Sequence, residues 1–256
     1  MRGGKNVKGA ASVRNAYGRL TFTFVLRQMP RALLYYIIGS LLGAAAAFAL
    51  FAIDKNLLEF ILTVWFKRLL LGLTLLGSKN YTLWFVINNI AALTLVVAAS
   101  VMIMMLVLRR RTRRTGLKIF KRFDRFQNIE ERRPRITLFG IYIVPIGALL
   151  VNSFLISMFA TYVLMNMGYN YFVNVVMLLL PHGINEIVAL LMASSIGLAY
   201  IKILSPFILA RRWDDCIKLG KSMLKSRVTF FFMTLIAILV VFSAFLEGAL
   251  GLFVLR

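Results

Sequence analysis

Residues 228–254 read VTFFFMTLIAILVVFSAFLEGALGLFV, with Glu247 the only acidic or basic side chain among them. A helix of that length rises about 40 Å, more than the roughly 30 Å hydrocarbon core of a bilayer. It reads as a transmembrane span. Three further runs, 32–53, 81–108 and 136–165, meet the same criterion. Residues 170–204 are also apolar, but Pro181-His182-Gly183 interrupts them. We therefore place a fifth span at 181–204, with Pro181 in its first turn, where a missing N–H costs nothing, and leave 167–180 as a short non-spanning segment.

Composition agrees with these spans. Of 256 residues, 61% are hydrophobic and only 16% charged, which excludes an ordinary water-soluble domain. One Cys cannot form an internal disulfide, one His cannot build a His-rich metal site, and no Walker-type phosphate loop is present. The expected fold is all-α, a polytopic membrane helical bundle of five transmembrane helices plus interfacial amphipathic helices. Residues 1–31 form a basic cytoplasmic segment and 32–256 a single transmembrane domain. No internal repeat is visible. The run 32–53 is about twice the length of a signal-peptide apolar region, so it reads as a retained span.

Orientation comes from the 31 Lys and Arg, which face only 9 Asp and Glu. With five crossings, residues 1–31, 109–135 and 202–227 share one side and hold 26 of these cations against five opposite. The charge-rich side is expected to be cytoplasmic, with the N-terminus inside, the C-terminus outside and the plasma membrane as location. Residues 57–76 are apolar enough to suggest a sixth span, but Lys67 and Arg68 stand at their centre. Two cations at mid-bilayer would cost about 2.5–3.5 kcal/mol each. This segment is expected to be interfacial or re-entrant, with Trp65 and Trp84 at the outer headgroups.

On the basic side, Trp213, Ile217 and Leu224, with Cys216 and Met223 alongside, form an apolar stripe opposite Asp214, Asp215, Lys218, Lys221 and Lys225. Ile119, Phe123 and Phe126 keep a similar spacing, and Leu20 and Phe24 precede Arg27 and Arg31. Such helices suit an anionic inner leaflet or a protein partner in a membrane complex. Nucleic acid is a weaker reading, because topology and lipid attraction already account for juxtamembrane cations.

Inside the spans, Asn88, Asn89, Asn152, His182, Glu186 and Glu247 stand out, because polar and ionisable groups at membrane depth are costly. At 1.5 Å per residue, Asn88 lies roughly 10 Å below the outer end of its span and Asn152 roughly 24 Å above the inner end of its own. Both fall in the outer half, as do His182, Glu186 and Glu247. Gly183 would permit close backbone approach beside His182. Mutual hydrogen bonding that fixes helix register is the plainer reading. An ion or proton site is the sharper one. One His with two Glu and amides is a poor metal-ligand set, so no metal or cofactor is expected.

The stretch Leu180-Pro181-His182-Gly183-Ile184-Asn185-Glu186 resembles the Pro-His-Gly-x-x-Glu signature of the stage II sporulation protein M family. Asn88-Asn89 resembles that family's paired Asn at the start of a span, Gly197-Leu198 the end of its post-signature helix, and Ser243-Ala244-Phe245-Leu246-Glu247 its small-small-x-x-Glu. Asn152-Ser153 stands where family members tend to have Asn-Gly. The resemblance spans residues 81–254 and implies an all-helical integral membrane protein, known in spore formers as a partner of cell-wall hydrolases. The expectation is a non-enzymatic assembly or anchoring component, with homo-oligomerisation open. The alternative is a permease subunit of an exporter working with a separate ATPase. An intramembrane enzyme ranks below both, since no nucleophile accompanies His182 and Glu186.

Overall fold

The computed structural model describes residues 13, 15–76, 81–112 and 129–254, and among these every regular element is helical. In chain order they are α1 (Phe22–Leu26), α2 (Met29–Ile53), α3 (Lys55–Leu76), α4 (Tyr81–Thr112), α5 (Ile129–Met167), α6 (Tyr169–Leu209), α7 (Trp213–Leu224) and α8 (Arg227–Val254). Five stretches are long and apolar enough to cross a membrane: Phe22–Ile53, Val86–Ile103, Thr137–Met167, Gly183–Leu209 and Arg227–Leu246. The second amphipathic candidate, around Ile119 and Phe123, lies outside the described residues.

These spans are not equivalent. In α6, 78% of the spanning residues are buried by other helices, against 17–33% in the other four. The remaining helices are therefore a shell around α6, and their outward faces carry the exposed apolar side chains, such as Leu41 on α2 and Phe245 on α8. A helix in hydrocarbon satisfies its own backbone, so an apolar outer face suits lipid.

With no hydrophobic drive between helices in lipid, association relies on close fit at small residues. Gly39, Gly43 and Ala47 are buried at i, i+4 and i+8 along α2, where they receive α5. A Cβ on Gly39 would strike the Ser153 hydroxyl and stand 2.7 Å from the Leu150 carbonyl oxygen. One on Gly43 would strike the Phe154 backbone, with its Cα at 2.8 Å. Ala47 then clusters with Met158, so α2 and α5 run parallel. At the centre, a Cβ on Gly197 of α6 would lie 3.2 Å from both the Val96 carbonyl oxygen of α4 and the Pro145 ring of α5.

The connections are tight where the sequence permits. Asp54 accepts the Leu57 N–H at 3.1 Å and starts α3, which folds back so that Leu58 and Leu62 pack with Ala47 and Met158. Although α3 is helical throughout, it is not among the five spanning stretches. Trp65 packs against Phe159, ring centres 6.4 Å apart, while the Trp84 side chain lies outside the described residues.

The break between α5 and α6 falls at Gly168, φ +84°, a conformation that favours glycine. It does not fall at Pro181. The helix starts at Tyr169 and runs unbroken through residue 181 to Leu209, so the supposed first turn at Pro181 is helix interior, although the spanning stretch within α6 does begin at Gly183.

Replacing Gly43 by Leu is expected to separate α2 from α5 and lower stability by more than the roughly 1–3 kcal/mol of ordinary overpacking, since backbone is in the way. Gly147→Ala, where a Cβ meets nothing within 4 Å, should be neutral. Thermal denaturation of the detergent-solubilised variants reads the difference.

Candidate functional site

Glu186 projects from α6 about three turns before Gly197, and the same register carries α4 and α8 past it. Asn89 of α4 donates through Nδ2 to Glu186 Oε1 at 3.3 Å, and the Ser243 hydroxyl of α8 approaches the same oxygen at 3.5 Å. Three helices thus converge on one half-buried carboxylate. Asn89–Glu186 and Val96–Gly197 fix α4 and α6 as parallel, while Ser243–Glu186 and Thr229–Tyr200 fix α8 as antiparallel to α6.

The sequence-derived residues distribute unevenly. Asn89 and Glu186 meet, and Asn88 and Asn152 are exposed without a hydrogen bond to any described residue. The side chains of His182 and Glu247 lie outside the described residues, although their backbones belong to α6 and α8. Gly183 differs from expectation: nothing lies within 4 Å of its Cβ position, so no backbone approaches there. Close approach occurs instead at Gly39, Gly43 and Gly197. Ser243 entered the sequence reading only as a small residue; its hydroxyl role needs the register of α8 against α6. The Gly39-x-x-x-Gly43 spacing was open to detection as a small-residue packing motif.

A second polar centre closes the basic end. Tyr200 on α6 is fully buried, its hydroxyl 3.0 Å from the Met223 carbonyl oxygen and 2.5 Å from Thr229 Oγ1. Thr229 also donates to Met223 O at 2.7 Å, and Ser226 Oγ accepts the Thr229 N–H at 3.1 Å. Met223 O belongs to the last turn of α7, whose carbonyls have no intrahelical donor. Tyr200 and Thr229 supply donors, and Ser226 caps the start of α8.

This end fixes the orientation of α7. Cys216, Leu219, Gly220 and Met223 are buried, and Trp213, Ile217 and Leu224 flank them against the core. Met223, read from sequence as part of a partner- or lipid-facing surface, lies inside the protein. The stripe centres about one residue column away from Trp213–Ile217, on Leu219, because the helix must bring Met223 O under Tyr200. Its start is held by Arg212, which pairs with Asp215 at 2.6 Å and stacks over Phe207 at 5.0 Å. Burial pushes the Cys216 thiol up to about 12, with Asp215 adding to the shift. The N-terminal segment is docked too: Leu20 and Val25 are buried, Phe22 meets Phe231 edge-on at 4.9 Å, and Lys202 lies over Phe24 at 5.6 Å.

Five apolar helical spans around a covered axis, with a carboxylate bridged across three of them, define a polytopic α-helical membrane protein. The stage II sporulation protein M family model matches residues 135–250, from α5 to near the end of α8, and this family is one of integral membrane proteins. The resemblance read from the signature is borne out over that stretch, while Asn88 and Asn89 on α4 precede it. No curated protein and no solved structure matches the chain.

Glu186→Gln is expected to retain more stability than Glu186→Leu, because an amide keeps an oxygen acceptor for the half-buried Asn89 donor whereas leucine leaves it without one, a loss of about 1 kcal/mol. Thermal scans in detergent measure the gap. For Cys216, a raised pKa and full burial predict slow alkylation in the native state near neutral pH. The rate should climb as pH rises toward 12, because the thiolate is the nucleophile. Maleimide trapping before and after denaturation checks this.

Proposed function

We propose that the protein is a non-enzymatic assembly or anchoring component of a plasma-membrane complex, with its N-terminus cytoplasmic and its C-terminus outside. The supporting observation is the Asn89–Glu186–Ser243 contact, in which the described intramembrane carboxylate is engaged by neighbouring helices and holds their register. A platform of this kind presents fixed faces to other proteins. The 26-to-5 distribution of cations supports the orientation, and the exposed Arg27, Lys202, Lys218, Lys221 and Lys225 suit an anionic inner leaflet. The match to the stage II sporulation protein M family supports an integral membrane role for residues 135–250.

Affinity purification from native membranes tests the assembly role. Recovery of an extracytoplasmic or envelope protein in stable proportion is the expected result, and stoichiometric recovery of an ATPase would favour the permease-subunit reading. Single Cys residues at Asn56 and Lys225, both exposed positions, test orientation. An impermeant maleimide should label the first from outside intact cells and the second only after permeabilisation.

A further inference from the structure

Between Lys55 and Lys67, α3 carries three different faces. Successive side chains of a helix stand about 100° apart, so Leu58, Leu62 and Trp65 share one direction. They face the bundle: Leu58 and Leu62 are buried with Ala47 and Met158, and Trp65 packs on Phe159. Asn56, Glu59, Thr63 and Lys67 form a second stripe, turned roughly 140° from the first, and none of them is buried. Leu57, Phe60 and Val64 form a third, roughly 90° further round, and are 43%, 63% and 52% exposed. This third face continues into Ile53, 83% exposed at the end of α2, and so joins the apolar outer surface that suits lipid.

Contacts with α5 give the faces a direction. The Tyr162 hydroxyl donates to Glu59 Oε1 at 3.0 Å, and Asn166 Nδ2, one turn nearer Gly168, donates to that hydroxyl at 3.2 Å. Lys55 pairs with the same carboxylate at 3.6 Å. The polar stripe therefore turns toward the end of the bundle away from the basic loops, and the exposed apolar stripe turns away from that end. Glu59 stands at Tyr162 and Trp65 at Phe159, so six residues of α3, about 9 Å, advance over three of α5, about 4.5 Å. The helix crosses α5 obliquely instead of descending beside it. Tyr162 and Phe159 lie roughly 9 and 13 Å from Gly168, just past the end of the spanning stretch at Met167. That depth is comparable with a surface helix whose apolar face sinks about 5–10 Å into the headgroup and acyl boundary. A helix lying in this boundary meets protein on one side, water above and acyl chains below, which are the three environments its faces suit. The Lys67 stem can run over apolar surface while its ammonium reaches the headgroups.

We infer that α3 lies in the plane of the leaflet opposite the basic loops, with Leu57, Phe60 and Val64 inserted among acyl chains and Asn56, Glu59, Thr63 and Lys67 at the headgroups. The partner of this surface is the lipid of that leaflet, to which α3 holds the bundle as a lateral arm. The placement rests on the five-crossing topology proposed above, and it excludes both a sixth crossing and a re-entrant dip to mid-bilayer.

The test uses the full-length protein in a Cys216→Ala background, reconstituted in vesicles of phosphatidylcholine and phosphatidylglycerol. Single nitroxide-labelled cysteines replace Leu57, Phe60 and Val64, then Asn56, Thr63 and Lys67, and finally Leu58 as a bundle-facing control. The first six positions are exposed, so the labels displace no packed side chain. Collision rates are read with oxygen, which concentrates in hydrocarbon, and with a water-soluble nickel chelate. Oxygen should dominate severalfold at the first three positions and the chelate at the second three, alternating with the helical period as far as Lys67, while the label at Leu58 meets neither. A steady passage from chelate to oxygen between Asn56 and Lys67, regardless of face, would mean a helix diving into the bilayer and would overturn the inference. So would chelate access at all six positions, or exclusion of both colliders from Leu57, Phe60 and Val64, which would indicate a second copy or another chain over that face. In intact cells, an impermeant maleimide should reach Thr63→Cys and Lys225→Cys from opposite sides, and labelling of both from one side would again overturn it. Labelling of Lys225→Cys alone from outside would contradict the proposed orientation and leave α3 in the leaflet opposite the basic loops.

Discussion

A backbone that must approach another backbone without a side chain between them is the constraint on which this bundle depends. Gly39 and Gly43 bring α2 against α5 at distances that a Cβ would forbid, and Gly197 brings α6 against α4 and α5 where a Cβ would be tight, 3.2 Å from its nearest neighbours. In a soluble protein the hydrophobic effect would gather these helices even with imperfect fit. In lipid that drive is absent, so fit and a few hydrogen bonds decide the arrangement. Covered on so many sides, α6 is the element through which the others are positioned.

The polar residues of α6 then divide between its two ends. Glu186 ties α4 and α8 in one half, and Tyr200 gathers the end of α7 and the start of α8 at the basic end. The two centres differ in consequence. The Tyr200 network adds side-chain donors to the Met223 carbonyl, which also accepts the Ser226 N–H at 3.1 Å, and so ties the end of α7 to α6 and α8, a structural task. Glu186 instead joins three spanning helices through side chains, so its consequence is their register.

Much of the fold was legible because span length is a strong one-dimensional signal. Runs near 32–53, 136–165 and 228–254 correspond closely to the helices found. Pro181 misled because proline suggests a helix start in an isolated segment, whereas α6 carries it within a long helix whose true break is a left-handed glycine. The α7 stripe was visible as amphipathic, but not which partner it faced. Its burial depends on Met223 O meeting Tyr200, a contact across 23 positions of chain. Depth counting brought Asn89 to Glu186, whereas it gave Asn88 and Asn152 the same level without saying which way each side chain turned.

The central claim, that α6 is held in register through its carboxylate, is most directly tested by a double-mutant cycle between Asn89 and Glu186. Unfolding free energies in detergent for Asn89→Ala, Glu186→Leu and the pair give the coupling. The account predicts a favourable interaction of about 0.6 kcal/mol or somewhat more, in the range of hydrogen bonds between membrane helices. Strictly additive effects, with no coupling between the two sites, would contradict it.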